Sequence, residues 1–205
     1  MNNSFLISVE GIDGSGKSTL ARNLHQLLLE HKLDVLLTKE PGATPLGKAL
    51  REILHTQKAL VCDKAEFLLF AADRAQHFAT VVQPALDQGK LVISDRMHDS
   101  SLAYQGFGRG LDKEIIASVS RWAMNNRMPD LTIYVTIDTQ TAFERLHATR
   151  AELTSFEKEK IDFWQRVQTG FSRIFADRDN VVTLDGKLDQ TTLAQQAFDE
   201  IKMRL

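Results

Sequence analysis

The sequence predicts an α/β fold in three layers, α/β/α, built on a five-stranded parallel sheet. Two observations carry this. Short apolar, β-rich runs recur along the chain: FLISVE (5–10), DVLLTKE (34–40), KLVISD (90–95), LTIYVTID (131–138) and NVVTLD (180–185). Between and after them lie longer stretches of helical period, at 17–31, 64–88, 112–126, 140–150, 155–175 and 188–205. Strands that alternate with helices read as a parallel sheet covered on both faces, because each parallel connection needs a crossover long enough to hold a helix.

Taken in order, the first run ends on Glu10, where a glycine-rich turn opens the helix KSTLARNLHQLLLEH. The second ends in the turn TKEPGATP (38–45), followed by GKALREIL with its solvated helical face. The third delivers Asp95 and Arg96 into HDSSLAYQG. Ligands of such sheets bind beyond the carboxyl ends of the strands, so 10–17, 38–42 and 95–101 fall on one rim. The polar stretch RAELTSFEKEK (150–160) is the best candidate for a mobile flap.

Bulk properties narrow the functional classes. The 205 residues suit one domain over 1–205. With 25 basic against 27 acidic residues and no long run of either sign, nothing marks a nucleic-acid or membrane binder. Cys62 stands alone and cannot pair within the chain, which predicts a reduced compartment and a small buried thiol. The start MNNSFLISVEG has no basic leader region and no apolar run approaches about 18 residues, so a cytoplasmic protein is expected.

The stretch SVEGIDGSGKSTL contains the spacing G-x-x-x-x-G-K-[ST], here Gly11, Ile12, Asp13, Gly14, Ser15, Gly16, Lys17, Ser18 and Thr19. It follows a β-type run and opens a helix, as a phosphate-binding loop must. Glycines let successive N–H groups point inward at a helix N-terminus, Lys17 bridges the outer phosphates and Ser18 ligates Mg²⁺. No guanine-reading N-K-x-D stretch is present, which argues against a switch GTPase.

For a kinase, a second rim site must hold the acceptor. Asp95 emerges at a strand end beside the loop, suited to a Mg²⁺-bound water, and Arg96 follows at once; the bland alternative is a surface ion pair. Phe70 and Arg74 share one helix face and can stack a flat base and donate to its carbonyl; equally, Phe70 can be core and Arg74 can reach solvent along its stem. Ser101 and Gln105, with Tyr104 between, can read a base edge or cap a helix. Arg51 lies near the turn after the second strand, in reach of an acceptor phosphate.

Assembled, the chain resembles the bacterial thymidylate kinases, P-loop kinases that phosphorylate dTMP to dTDP with ATP. The blocks that carry the resemblance are VEGIDGSGKST, TKEPGATPLGKALREIL, AEFLLFAADRAQH, VISDRMHDSSLAYQGFGRG, MPDLTIYVTID and ELTSFEKEKIDFWQRV. The resemblance implies that Asp13 and Glu40 face the acceptor, that Arg51 and Arg96 hold its phosphate, and that Phe70 stacks thymine while Arg74 donates to its carbonyl. It implies further that Ser101 and Gln105 approach the thymine edge and that Tyr104 packs against C2′ of the sugar. Mg²⁺ held by Ser18 and, partly through water, by Asp95 accompanies ATP.

Two departures stand out. Lys39 occupies a position where relatives often have arginine, and the P-loop lacks an arginine, which shifts the catalytic cation to a lid at about 145–160. Arg150 is the first choice there and Arg145 the second; Thr154 and Ser155 stand where some relatives carry an Asp-Arg pair. The resemblance also suggests a homodimer through helix faces of 64–88 and 112–126. A P-loop deoxynucleoside kinase, with Glu10 or Asp13 drafted as base, and a regulator that binds nucleotides without transfer are the alternative readings. The loop DGKLDQ (185–190) is where the adenine is expected.

Overall fold

The computed structural model describes residues 4–55, 61–149, 154, 156–157 and 159–205. Strand β1 (Phe5–Glu10) turns into helix α1 (Lys17–Glu30), and β2 (Val35–Lys39) is followed by α2 (Pro45–His55), α3 (Asp63–His77), a π-helical turn (Phe78–Val82) and α4 (Gln83–Asp87). Strand β3 (Leu91–Asp95) leads through α5 (His98–Ser101) and a second π-helical stretch (Leu102–Gly108) to α6 (Lys113–Ala123). Then come β4 (Leu131–Thr136), α7 (Thr139–Thr149), α8 (Ile161–Phe175), β5 (Val181–Asp185) and α9 (Gln190–Lys202). No described helix is long and apolar enough to cross a membrane.

Among the described residues five strands form one parallel sheet in the order β2-β3-β1-β4-β5, the predicted α/β architecture. Strand β1 lies at its centre, with Val9 opposite Asp95 of β3 and Glu10 opposite Tyr134 of β4. Its alternation explains the layers. Ile7 and Val9 face a core shared with Leu20, Leu24 and Leu28 of α1 and Leu193 and Ala197 of α9. Leu6 faces the other side, against Phe78, Val82 and Met97. Ser8 and Glu10 share that second side, where a buried hydroxyl and carboxylate satisfy one another at 2.7 Å.

The helical stretch 64–88 is not continuous. Pro84 has no N–H to donate back one turn and its ring crowds the carbonyl of Thr80, so the backbone widens into a π-turn before α4 begins. The helix expected from 155 starts at Ile161 instead. Ahead of it, Glu157 accepts from the Thr154 N–H at 2.7 Å and its own N–H reaches the Thr154 hydroxyl at 3.4 Å, a reciprocal cap that closes a turn rather than extends a helix. One helical piece had not been expected, the run through α5 and the second π-helix, while α2 contains the helical face read in GKALREIL.

Cys62 is exposed at the start of α3, not buried as expected, because it precedes the first apolar residue that this helix turns inward, Phe67. Phe163 and Trp164 of α8 are core residues. The second π-helix and α8 approach closely: a Cβ on Gly108 would lie 2.6 Å from the Phe163 ring. This tight contact fixes the segment that carries Tyr104 and Gln105.

Candidate active site

The glycine-rich turn brings its backbone against α7. A Cβ on Gly14 (φ +82°) would meet the Ala142 carbonyl oxygen at 2.4 Å, and Gly16 (φ +95°) sets the start of α1, so neither position tolerates a side chain. The first turn of α1 holds no acidic residue, which leaves its positive end for an anion. Lys17 is buried, and its Nζ donates to Asp13 Oδ1 at 3.0 Å and to the Ile12 carbonyl at 3.4 Å.

Arg96 closes the rim from the other side. It takes a left-handed backbone (φ +75°) just after β3, where its N–H donates to the Val9 carbonyl and its own carbonyl accepts from Ser94 Oγ. Its guanidinium then turns over the P-loop. Nη1 donates to the Gly11 carbonyl and to Ser100 Oγ, both at 2.9 Å, and Nη2 to Asp13 Oδ1 at 2.5 Å and Tyr104 Oη at 3.2 Å. One carboxylate thus ties Lys17 to Arg96. Burial works against the ionised form of Asp13, but the charges of Arg96 and Lys17 outweigh it and hold the carboxyl well below the usual range. Burial opposes the charge on Arg96 as well, yet Tyr104, Asp13, Asp95 and Glu10 around it hold its pKa above the ordinary value.

Glu10 supports this corner from behind. Fully buried, it accepts from the Met97 N–H at 2.7 Å and from Ser100 Oγ at 2.6 Å. Burial, then the Asp99 charge, raise its pKa. Asp99 is itself held by Arg178 and His98, which anchors the segment after β3 to the far strands.

Glu40 organises a second cluster. Its carboxylate accepts from Arg74 Nε at 2.8 Å and pairs with His77 Nδ1 at 3.1 Å, while His77 Nε2 meets Thr38 Oγ1 at 2.7 Å. Arg74 does not reach solvent: it is 2 % exposed and also donates to Ser120, to Ser101 Oγ and to the Met97 carbonyl. Arg51 Nη1 donates to the Pro41 carbonyl at 2.9 Å, which places it on the turn after β2.

Asp73 stands apart in this cluster. Its Oδ1 accepts from the Gly42 N–H, whereas its buried Oδ2 has no partner among the described residues. Burial, then the charge of Glu40, push its pKa up to about 6; the Gly42 bond, His77 and Arg74 only partly offset this. The stability tied to its protonated form is complete below about pH 3.8 and is lost as pH rises through about 6. Asp73→Asn is therefore expected to stabilise the fold by about 1–3 kcal/mol at pH 8, a gain that disappears by pH 4. Denaturation midpoints at the two pH values check this, and an equal shift at both would contradict it.

These residues surround a cavity of about 800 Å³. Asp13, Gly14, Gly16, Lys17, Ser18, Thr19, Glu40, Arg51, Phe70, Arg74, Asp95, Arg96, Ser101, Tyr104, Gln105 and Arg145 all line it. Gly11, Ile12 and Ser15 lie behind the lining, and Ile12 joins the core beneath Tyr104. Arg150 lies outside the described residues. Arg145 Nη1 donates to the Gly186 carbonyl at 2.8 Å, at the loop where the adenine was expected. The Phe70 ring opens on the cavity 5.8 Å from the ring of Phe156, a wall residue that sequence reading missed. Ser100 and Glu66 were missed as contributors too, and Glu10, weighed only as an alternative base, instead holds Met97 and Ser100. Only Glu66 left a usable signal, its spacing of four residues from Phe70 and eight from Arg74 on one face of α3.

The family described as thymidylate kinase matches residues 9–197. The chain is 38% identical over 198 residues to the thymidylate kinase of Halothermothrix orenii, an alignment that covers 96% of this chain and 95% of that one. It is 41% identical over 199 residues to the thymidylate kinase of Leifsonia xyli, with 97% and 93% covered. The crystal structure of a thymidylate kinase from Ehrlichia chaffeensis superposes with a TM-score of 0.79 at 30% identity, covering 97% of this chain and 99% of that one. With a P-loop facing a buried arginine across one cavity and alignments that span nearly the whole chain, the chain belongs to the thymidylate kinase family, ATP-dependent nucleoside monophosphate kinases of the P-loop kinase fold.

Proposed function

We propose that the chain transfers the γ-phosphoryl group of ATP to dTMP, giving dTDP and ADP for dTTP biosynthesis, with 1–205 acting as one kinase domain and about 145–160 as its lid. The observation that carries this is the Asp13 carboxylate shared by Lys17 and Arg96: it sets a donor-side cation and an acceptor-side cation a fixed distance apart. An acceptor phosphate oxygen attacks the γ-phosphorus, the bond to the bridging oxygen breaks, and its electron pair leaves on ADP. The nucleophile is already anionic, so positioning and charge neutralisation do most of the work.

In this reading the P-loop N–H groups and Lys17 take the ATP phosphates, Arg96 and Arg51 take the dTMP phosphate, and Arg150, with Arg145 as second choice, meets the transferring group. Phe70 stacks thymine. Arg74 donates to its carbonyl, for which Nη1 has a second N–H beside the one that meets Ser120. Tyr104 packs against the sugar. Asp95 Oδ1 is buried with no partner among the described residues, and with the Ser18 hydroxyl it offers the hard oxygen donors that suit Mg²⁺. Two oxygens are too few for a protein cage, so Ser18 and Asp95 would complete the coordination of an ion carried by the nucleotide. When bound it would supply charge neutralisation to the phosphates.

A deoxynucleoside kinase needs a carboxylate base for a neutral hydroxyl. Glu10 is consumed by Ser8, Met97 and Ser100, and Asp13 is held too firmly ionised to take a proton. A coupled assay with thymidine and dTMP as rival acceptors tests the choice: ADP release should require dTMP, and turnover with thymidine would overturn it. We place the enzyme in the cytoplasm as a homodimer, a pairing supported by Leu68 of α3 and Ile115 and Trp122 of α6, which are 58%, 59% and 77% exposed.

A further inference from the structure

We propose that Glu66 is a positioning residue for base selection: held by Arg109, its carboxylate captures the amide nitrogen of Gln105 and turns Gln105 Oε1 toward the acceptor base. This rests on the reading above in which Gln105 meets the base edge. Glu66 Oε1 accepts from Gln105 Nε2 at 2.9 Å and from Arg109 Nε at 3.3 Å, and Oε2 accepts from Arg109 Nη2 at 3.1 Å. An ionised carboxylate only accepts, so the amide must offer its nitrogen to Glu66 and its oxygen to the opposite side. Gln105 is 2 % exposed and lines the cavity, which leaves that oxygen the side toward the ligand.

The holder is itself held. Arg109 lies with its guanidinium carbon 4.7 Å from the centre of the Phe163 ring and 5.7 Å from that of Phe156, and its Nη1 donates to Glu159. Turning the Gln105 amide over would set its oxygen against the Glu66 carboxylate in a buried setting, where two acceptors facing each other are costly. The amide is therefore fixed as an acceptor toward the base. Thymine and uracil present an N3–H donor to such an oxygen, whereas cytosine presents a bare N3. Glu66 and Gln105 together select pyrimidines that carry the N3 proton.

Initial rates with dTMP and dCMP test this in the wild type, in Glu66→Met, in Glu66→Met/Arg109→Met, which removes the cation with its partner, and in Gln105→Ala. Both Glu66 variants should lower the dTMP-over-dCMP ratio of kcat/KM at least about tenfold, through a higher KM for dTMP with the KM for ATP unchanged. A mere loss of packing would not split the two KM values in this way. If Gln105→Ala changes the ratio and neither Glu66 variant does, the positioning role is overturned while the base-edge reading stands. If none of the three changes it, the base-edge reading falls and takes the role of Glu66 with it.

Discussion

Lys17→Ala is expected to lower kcat by about 10³-fold or more while dTMP binding stays measurable. The ammonium sits within 3.4 Å of the Ile12 carbonyl and 3.0 Å of Asp13, fixed in the loop before any phosphate enters. A cation preorganised in a dry site stabilises developing charge without reorganisation, and removal of even a neutral donor from such a site costs about 10²–10³ in rate. A cation on a transferring phosphoryl group contributes about 10³–10⁵. The fold should survive, because Asp13 keeps Arg96 as its partner. Steady-state ADP release gives kcat and calorimetry gives the dTMP affinity; turnover within about tenfold of wild type would remove Lys17 from the reaction.

Arg96 should show a different pattern. Arg96→Met deletes the donors to Gly11, Ser100, Asp13 and Tyr104 at once and leaves Asp13 to Lys17 alone. Asp13 keeps Lys17 as its partner, but the Gly11 carbonyl, Ser100 and Tyr104 lose their donor at about 1–3 kcal/mol for each group left unsatisfied, so both stability and kcat/KM for dTMP should fall, the latter by about 10³-fold. Arg96→Lys separates the two effects. An ammonium restores the charge beside Asp13 and with it much of the stability, but a point charge cannot serve several directions as the planar fork does. The lysine variant should thus melt near wild type and still bind dTMP poorly. Full recovery of kcat/KM in Arg96→Lys would reduce the role of Arg96 to bulk charge.

The sheet was legible because strands buried on both faces read as continuous apolar runs, as FLISVE and KLVISD do. The P-loop and the Asp95–Arg96 corner were legible for another reason: each is a local pattern whose chemistry and position at a strand end coincide. What the sequence hid is pairing at a distance. Glu66 and Gln105 are 39 residues apart, Glu40 and His77 37, and Glu10 and Ser100 90, so no window along the chain displays them together. Arg74 shows the cost of this. Its spacing from Phe70 set it on the correct face, but four distant contacts, with Glu40, Met97, Ser101 and Ser120, decide that its guanidinium is buried in a network rather than run out to solvent. The start of α8 was misjudged for a similar reason, since Glu157 serves the Thr154 turn and not the helix.

A transfer reaction built on two cations tied by Asp13 needs an anionic phosphate on both substrates and a thymine-shaped slot beside Phe70. The most direct measurement is ADP formation from ATP and Mg²⁺ with a panel of nucleoside monophosphates, together with thymidine. dTMP should be the best acceptor, dUMP should follow within about 10–200-fold because a single methyl separates them, and dCMP, dAMP, dGMP and thymidine should give little or no turnover. Faster transfer to thymidine or to a purine monophosphate than to dTMP would contradict this assignment.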